Sequence, residues 1–109
     1  MCGFVGFTGN KDENIIKEMT DKISHRGPDG EGYFTDDTIS LGFRRLAFLD
    51  LEHGNQPMTT PDGRFTIVFN GEIYNHKELR EQLIQEGFKF KTTSDTEVLV
   101  NLLLSNRLF

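Results

Sequence analysis

Cysteine occurs once in this 109-residue sequence, at position 2. A lone cysteine is often a small buried hydrophobe, and that reading stands for Cys2. Its position offers another. Trimming of Met1 would bare Cys2 with a free α-amine, so one residue would carry both a nucleophile and a base. An α-amine ordinarily titrates at about 7.7–8.0 and a thiol at about 8.5. Both suit chemistry near neutral pH, as in N-terminal threonine nucleophiles. Asn70-Gly71 also has two readings. Between FTIVF and EIY it is a strong type I′ hairpin signal. Equally, the Asn amide and the Gly N–H are two donors for a developing oxyanion. The missing side chain of glycine lets a substrate approach that N–H.

Two charged residues complete the candidates. Arg45 closes an alternating segment and reads as a solvated surface arginine, or as a fork for a substrate carboxylate. Asp95 follows the helix-capping Ser94, where an acid complements the helix dipole. The same carboxylate could instead hold a substrate ammonium. His25, His53 and His76 have no metal-ligand spacing among themselves or with Cys2, so no metal site is expected. Gly27, Gly30 and Gly32 follow a helix and serve turns rather than a phosphate cradle.

The elements that must position these residues follow from periodicity. CGFVGF opens as a strand that begins at Cys2. Asp12 caps a helix running to about Ser24, with Ile15, Ile16, Met19 and Ile23 on one face. HRGPDG is a loop. Tyr33-Phe34 suggests a strand and Asp36-Asp37 a turn. Ile39, Leu41 and Phe43 then alternate with small or polar residues, as in a half-buried strand. Residues 50–63 read as loop, and FTIVF (65–69) as a buried strand. Asn75-x-x-Glu78 fits a capping box for a helix closed by Gly87. Phe88 and Phe90 alternate with lysines in a further strand. Ser94-x-x-Glu97 is a second capping box, before an apolar run. The order β-α-β-β-β-α-β-α points to the α+β class.

Composition narrows the function classes. Hydrophobic content of 36% and charged content of 27% indicate a globular chain rather than a disordered one. With a net charge of −5 and scattered basic residues, no stripe is present to neutralise phosphates, so nucleic acid is not an expected partner. No run approaches the roughly 18 apolar residues of a membrane span, so no membrane partner is expected either. No signal peptide is visible. With a single cysteine, the expected compartment is the cytoplasm. The last helix is nearly apolar all round and requires burial on every side. The sequence therefore reads as the front part of a larger domain, poorly folded alone unless a homodimer covers the exposed face.

MCGFVG, HRGPDG, RRLAFLDL, GNQPM, FNGEIYN and SDTE, taken together and in this order, resemble the N-terminal glutaminase domain of asparagine synthases (glutamine-hydrolysing). These are class II glutamine amidotransferases of the N-terminal-nucleophile hydrolase superfamily. The resemblance implies a four-layer α/β/β/α sandwich, present only in part over residues 1–109. It also implies L-glutamine as substrate, hydrolysed to glutamate and ammonia. Cys2 would be the nucleophile, and Asn70 and Gly71 the oxyanion hole. Arg45 would hold the α-carboxylate of glutamine, with Leu46, Ala47, Phe48 and Leu49 lining the pocket. Glu72 and Asp95 would hold the α-ammonium. No cofactor is implied within this chain. ATP and magnesium would belong to a C-terminal synthetase domain that amidates aspartate with the ammonia. Two alternatives remain open. One is the glutaminase half of another amidotransferase, making an aminosugar, a purine precursor or a natural product. The other is an inactive fragment or interaction module.

Overall fold

The computed structural model describes residues 2–46 and 56–105. Ala47, Phe48 and Leu49 of the expected pocket lie outside the described residues, as does the apolar end Leu108-Phe109. The elements run β1 (Gly3–Thr8), α1 (Glu13–Lys22), a 3₁₀ turn (Ser24–Arg26), β2 (Gly30–Thr35), β3 (Ile39–Arg45), β4 (Met58–Thr59), β5 (Thr66–Ile67), α2 (His76–Gln85) and α3 (Asp95–Leu104). Helices and antiparallel sheets are mixed, compatible with the α+β class.

Strands β1 and β2 flank β3 in one antiparallel sheet, with register pairs from Gly3–Arg44 to Thr8–Ile39 and from Gly30–Arg45 to Thr35–Ser40. The β2–β3 turn is held by Asp36. Its Oδ1 accepts from Thr38 N, Thr38 Oγ1 and Ile39 N, and the Thr38 backbone bond leads in holding this carboxyl below its ordinary range. The expected alternation in β3 holds at Phe43, which is buried, but not before it. Ser40 and Gly42 are buried while Ile39 and Leu41 are only half-buried. Helix α1 supplies the reason, because it packs on the small-residue face, with Thr20 against Gly42. On the same helix Ile16 is buried, but Ile15 is 48% exposed and does not join the expected apolar face. Asp12 caps α1 as its residue type dictates, accepting from Asn14 N and Ile15 N.

The second half of the chain departs further from its sequence reading. FTIVF is not a buried strand. Only Thr66–Ile67 pairs, with β4 inside the expected 50–63 loop, and residues 65–69 are half-buried. Asn75 makes no side-chain capping bond, so the predicted box at α2 does not form. The other end of α2 does follow the sequence. Gly87 has φ +100, Gly87 N donates to Ile84 O, and Phe88 N donates to Leu83 O, a Schellman closure. That closure turns Phe88 inward, and residues 88–90 form no strand. Phe88 and Phe90 instead pack with Leu79 on the buried cluster Leu83, Val98 and Leu102. Burial of each such side chain contributes about 1.5–3 kcal/mol, which joins α2 to α3.

The Ser94 cap forms, with its hydroxyl accepting from Glu97 N at 3.3 Å. Glu97 does not complete the box. It is buried, and its carboxylate accepts from Lys91 N, Thr92 N and Thr92 Oγ1 at 2.9, 2.7 and 2.6 Å. The carboxylate thus ties the irregular segment before α3 to the helix itself. Among the described residues no helix is long and apolar enough to cross a membrane.

Candidate active site

Cys2 directly precedes β1. By the strand alternation it lies one step beyond the Gly3–Arg44 pair, opposite Arg45 and on the face of the sheet away from α1. Its Sγ accepts from Leu46 N at 3.3 Å, and Leu46 O lies 3.8 Å away. The Leu46 backbone N–H is thereby directed at the sulfur. The Cys2 carbonyl accepts from Arg26 Nε at 3.2 Å, so the residue is held on two sides. Arg26 comes from the HRGPDG segment, which sequence reading treated only as a loop.

Arg45 is not a solvated surface arginine, being 7% exposed at the end of β3. Its carbonyl accepts from Asp29 N at 3.0 Å, and it pairs with Gly30 and with Pro28. The neighbouring Arg44 is spent on structure, with Nε donating to Gly27 O and NH1 bonded to Glu31 at 3.0 Å. Thus Cys2, Arg45 and Leu46 meet at one sheet end.

Asn70, Gly71 and Glu72 lie beyond the end of β5 and are exposed. The hairpin reading fails. No strand follows among residues 71–75, and Gly71 is not among the positive-φ glycines Gly9, Gly63 and Gly87, although a type I′ turn needs positive φ at both central positions. The segment is instead an arch pinned by side chains. At one end Gln56 pairs with the Phe69 backbone, Phe69 N donating to Oε1 at 2.6 Å and Nε2 donating to Phe69 O at 3.1 Å. At the other, Asp95 Oδ2 accepts from Ile73 N at 2.9 Å. Asp95 therefore joins the arch to the start of α3, a role beyond complementing the helix dipole.

Sequence reasoning missed Gln56 and Arg26, and read Glu97 only as half of a capping box. The only available signal for Gln56 was its place in GNQPM, since a polar residue in a proline-rich stretch otherwise reads as loop. Among the described residues no group of three or more His, Cys, Asp or Glu could hold a metal ion. A cleft of about 230 Å³ lined by Glu13, Ile16, Lys17, Tyr33 and Thr35 contains none of the candidate residues. Burial, reinforced by the bond to Glu31, pushes the Tyr33 phenol there up to about 12.

A cysteine sulfur at a strand start has a buried arginine beside it, and the Asn-Gly arch is exposed. Comparison with known proteins gives the family. Residues 1–106 match the model of a glutamine amidotransferase domain. Asparagine synthetase (glutamine-hydrolyzing) 1 of Bacillus subtilis is 50% identical over 107 residues, covering 92% of this chain and 17% of that protein. Its paralogue numbered 2 is 46% identical, covering 94% of this chain and 14% of that protein. A plant relative, asparagine synthetase (glutamine-hydrolyzing) 1 of Arabidopsis thaliana, is 38% identical, covering 94% and 18%. The chain thus spans less than a fifth of the length of these relatives. With a family match over nearly its whole length, the chain belongs to the glutamine amidotransferase domain family.

Proposed function

We propose that this chain is the catalytic front of a glutaminase that hydrolyses L-glutamine to glutamate and ammonia through a thioester on Cys2. The observation that carries the reading is the Leu46 N–H directed at Cys2 Sγ beside the buried Arg45. Loss of Met1 exposes the α-amine of Cys2, which takes the thiol proton. The thiolate attacks the side-chain amide carbon, and negative charge builds on the amide oxygen. The Asn70 amide and Gly71 N–H donate to that oxygen. Proton transfer to nitrogen and collapse of the tetrahedral intermediate expel ammonia and leave the thioester. Water then attacks the thioester, giving glutamate and restoring the thiol.

In this reading Arg45 meets the α-carboxylate of glutamine, while Glu72 and Asp95 face the α-ammonium. Leu46, at the end of the sheet, borders the same place. The family sandwich is the larger frame that the three-stranded sheet and α1 would belong to. The names of the relatives support a role in asparagine synthesis. There the ammonia would pass to a synthetase domain that uses ATP and magnesium to amidate aspartate.

Glutamate release from glutamine, measured on the longest natural form of the protein, tests the reading. Cys2→Ala is expected to abolish it with an unchanged thermal melt, and intact mass of the active protein should lack Met1. Wild-type turnover that survives Cys2→Ala, or that accompanies a retained Met1, overturns the mechanism.

A further inference from the structure

Gln56 lies outside every site assignment made above, yet it is nine-tenths buried and uses its whole amide group. Its two bonds to Phe69 imitate an antiparallel strand pair where β4 and β5 have stopped pairing. Nε2 also donates to Thr96 Oγ1 at 3.2 Å. Phe69 directly precedes Asn70, and Thr96 directly follows Asp95. One side chain therefore fixes the backbone on the near side of Asn70 and links it to the helix whose Asp95 fixes the far side.

The backbone of Gln56 reaches the sheet. Its carbonyl and Pro57 lie against Gly32 of β2, where a Cβ would have no room. Gly32 stands opposite Phe43 in the register, on the face that also carries Arg45 and, by alternation, Cys2. A glycine at position 32 lets Gln56 approach that face, and the Gln56 side chain spans from it to the arch.

We propose that Gln56 is a positioning residue. It sets the distance and angle between the Cys2 face of the sheet and the oxyanion donors Asn70 and Gly71. The inference rests on the glutaminase reading above. Oxyanion stabilisation depends on donors placed where charge develops, and a misplacement of about 1 Å can cost on the order of 10²-fold in rate. Gln56 touches no reacting atom, so its effect falls on turnover rather than on the reactivity of the thiol.

The test compares wild type, Gln56→Met, Thr96→Val and Asn70→Ala in the longest natural form of the protein. Gln56→Met keeps length and apolar volume while removing every amide bond. Thr96→Val removes only the Nε2 acceptor. Three readouts are taken: kcat and KM for glutamine hydrolysis, thermal melting, and the rate at which iodoacetamide alkylates Cys2, a displacement that forms no oxyanion. Gln56→Met is expected to lower kcat by about 10²-fold, with KM and alkylation rate little changed, and Thr96→Val to lower kcat less. If Asn70→Ala is impaired while Gln56→Met or Thr96→Val turns over at the wild-type rate, the positioning role is overturned and the oxyanion reading stands. Gln56→Met that loses alkylation and kcat in parallel overturns it too, since Gln56 then supports the whole fold. Should Gln56→Met fail to fold, Thr96→Val decides between the same two outcomes. A wild-type protein that does not hydrolyse glutamine overturns both readings.

Discussion

Strands β1, β2 and β3 pair along their whole lengths, whereas β4 and β5 share only Met58–Ile67 and Thr59–Thr66. The first region carries Cys2 and Arg45, and the second carries Asn70, Gly71 and Asp95. Backbone ladders position the proposed nucleophile. Polar side chains position the arch, buried Gln56 on Phe69 and half-buried Asp95 on Ile73, and buried Glu97 likewise holds residues 91 and 92. A ladder spreads its strength over many equivalent bonds and tolerates loss of one. An arch held by single side chains does not, because each buried donor left unpaired costs about 1–3 kcal/mol. The region around Cys2 should therefore be robust to mutation, and the arch sensitive to it.

The largest expected effect within the arch is on turnover. Asn70→Ala should lower kcat by on the order of 10²–10³-fold, the usual cost of one oxyanion donor. Asn70 is exposed and not in a hairpin, so its melting temperature should barely move. Steady-state kinetics beside calorimetry check both halves of that expectation, and a variant with normal kcat and a lower melt would return Asn70 to a turn role.

Smaller losses are expected at the residues proposed to face the charged ends of glutamine. Arg45→Ala and Asp95→Asn should each cut kcat/KM about 30- to 150-fold, corresponding to about 2–3 kcal/mol for a bond to a charged group. The pair also separates the two regions. Asp95→Asn keeps an oxygen able to accept from Ile73 N, so its loss reports charge alone. Asp95→Ala releases the arch as well, and its additional loss measures the tether. Equal activity of the two Asp95 variants would show that the tether contributes nothing.

The smallest effect on activity, and the clearest on stability, is expected at Glu97. Glu97→Ala strips the partners from Lys91 N and Thr92 N and should destabilise by about 1–3 kcal/mol. A domain of 60–100 residues loses roughly 4–8 °C per kcal/mol. Thermal denaturation of Glu97→Ala beside a substitution at exposed Glu18 checks it. A melt equal to that control would mean the segment before α3 needs no carboxylate.

Much of the local structure was legible in the residues themselves. The Asp12 cap, the Ser94 cap, the Gly87 closure and the strands around Phe4 and Phe43 follow from local rules, since a cap or a positive-φ glycine acts within a few residues. The motif order, led by Cys2, Asn70-Gly71 and SDTE, was enough to indicate the family. Other features depended on contacts far along the chain. Arg45 reads as a surface residue, yet in the fold it is buried, and its backbone pairs with β2 and the Pro28–Asp29 segment. Phe88 and Phe90 alternate like a strand, but the neighbouring α2–α3 cluster offers them burial without one. Asn70-Gly71 has hairpin chemistry, but no second strand arrives to use it. Gln56 shows the limit most clearly. A glutamine is polar and ordinary in sequence, and only the folded chain brings it against Gly32, Phe69 and Thr96 together. Residue type and spacing determined which groups could do the chemistry. Where those groups stand was decided by long-range burial of polar side chains, because an unpaired amide in the interior costs more than the local preferences it overrides.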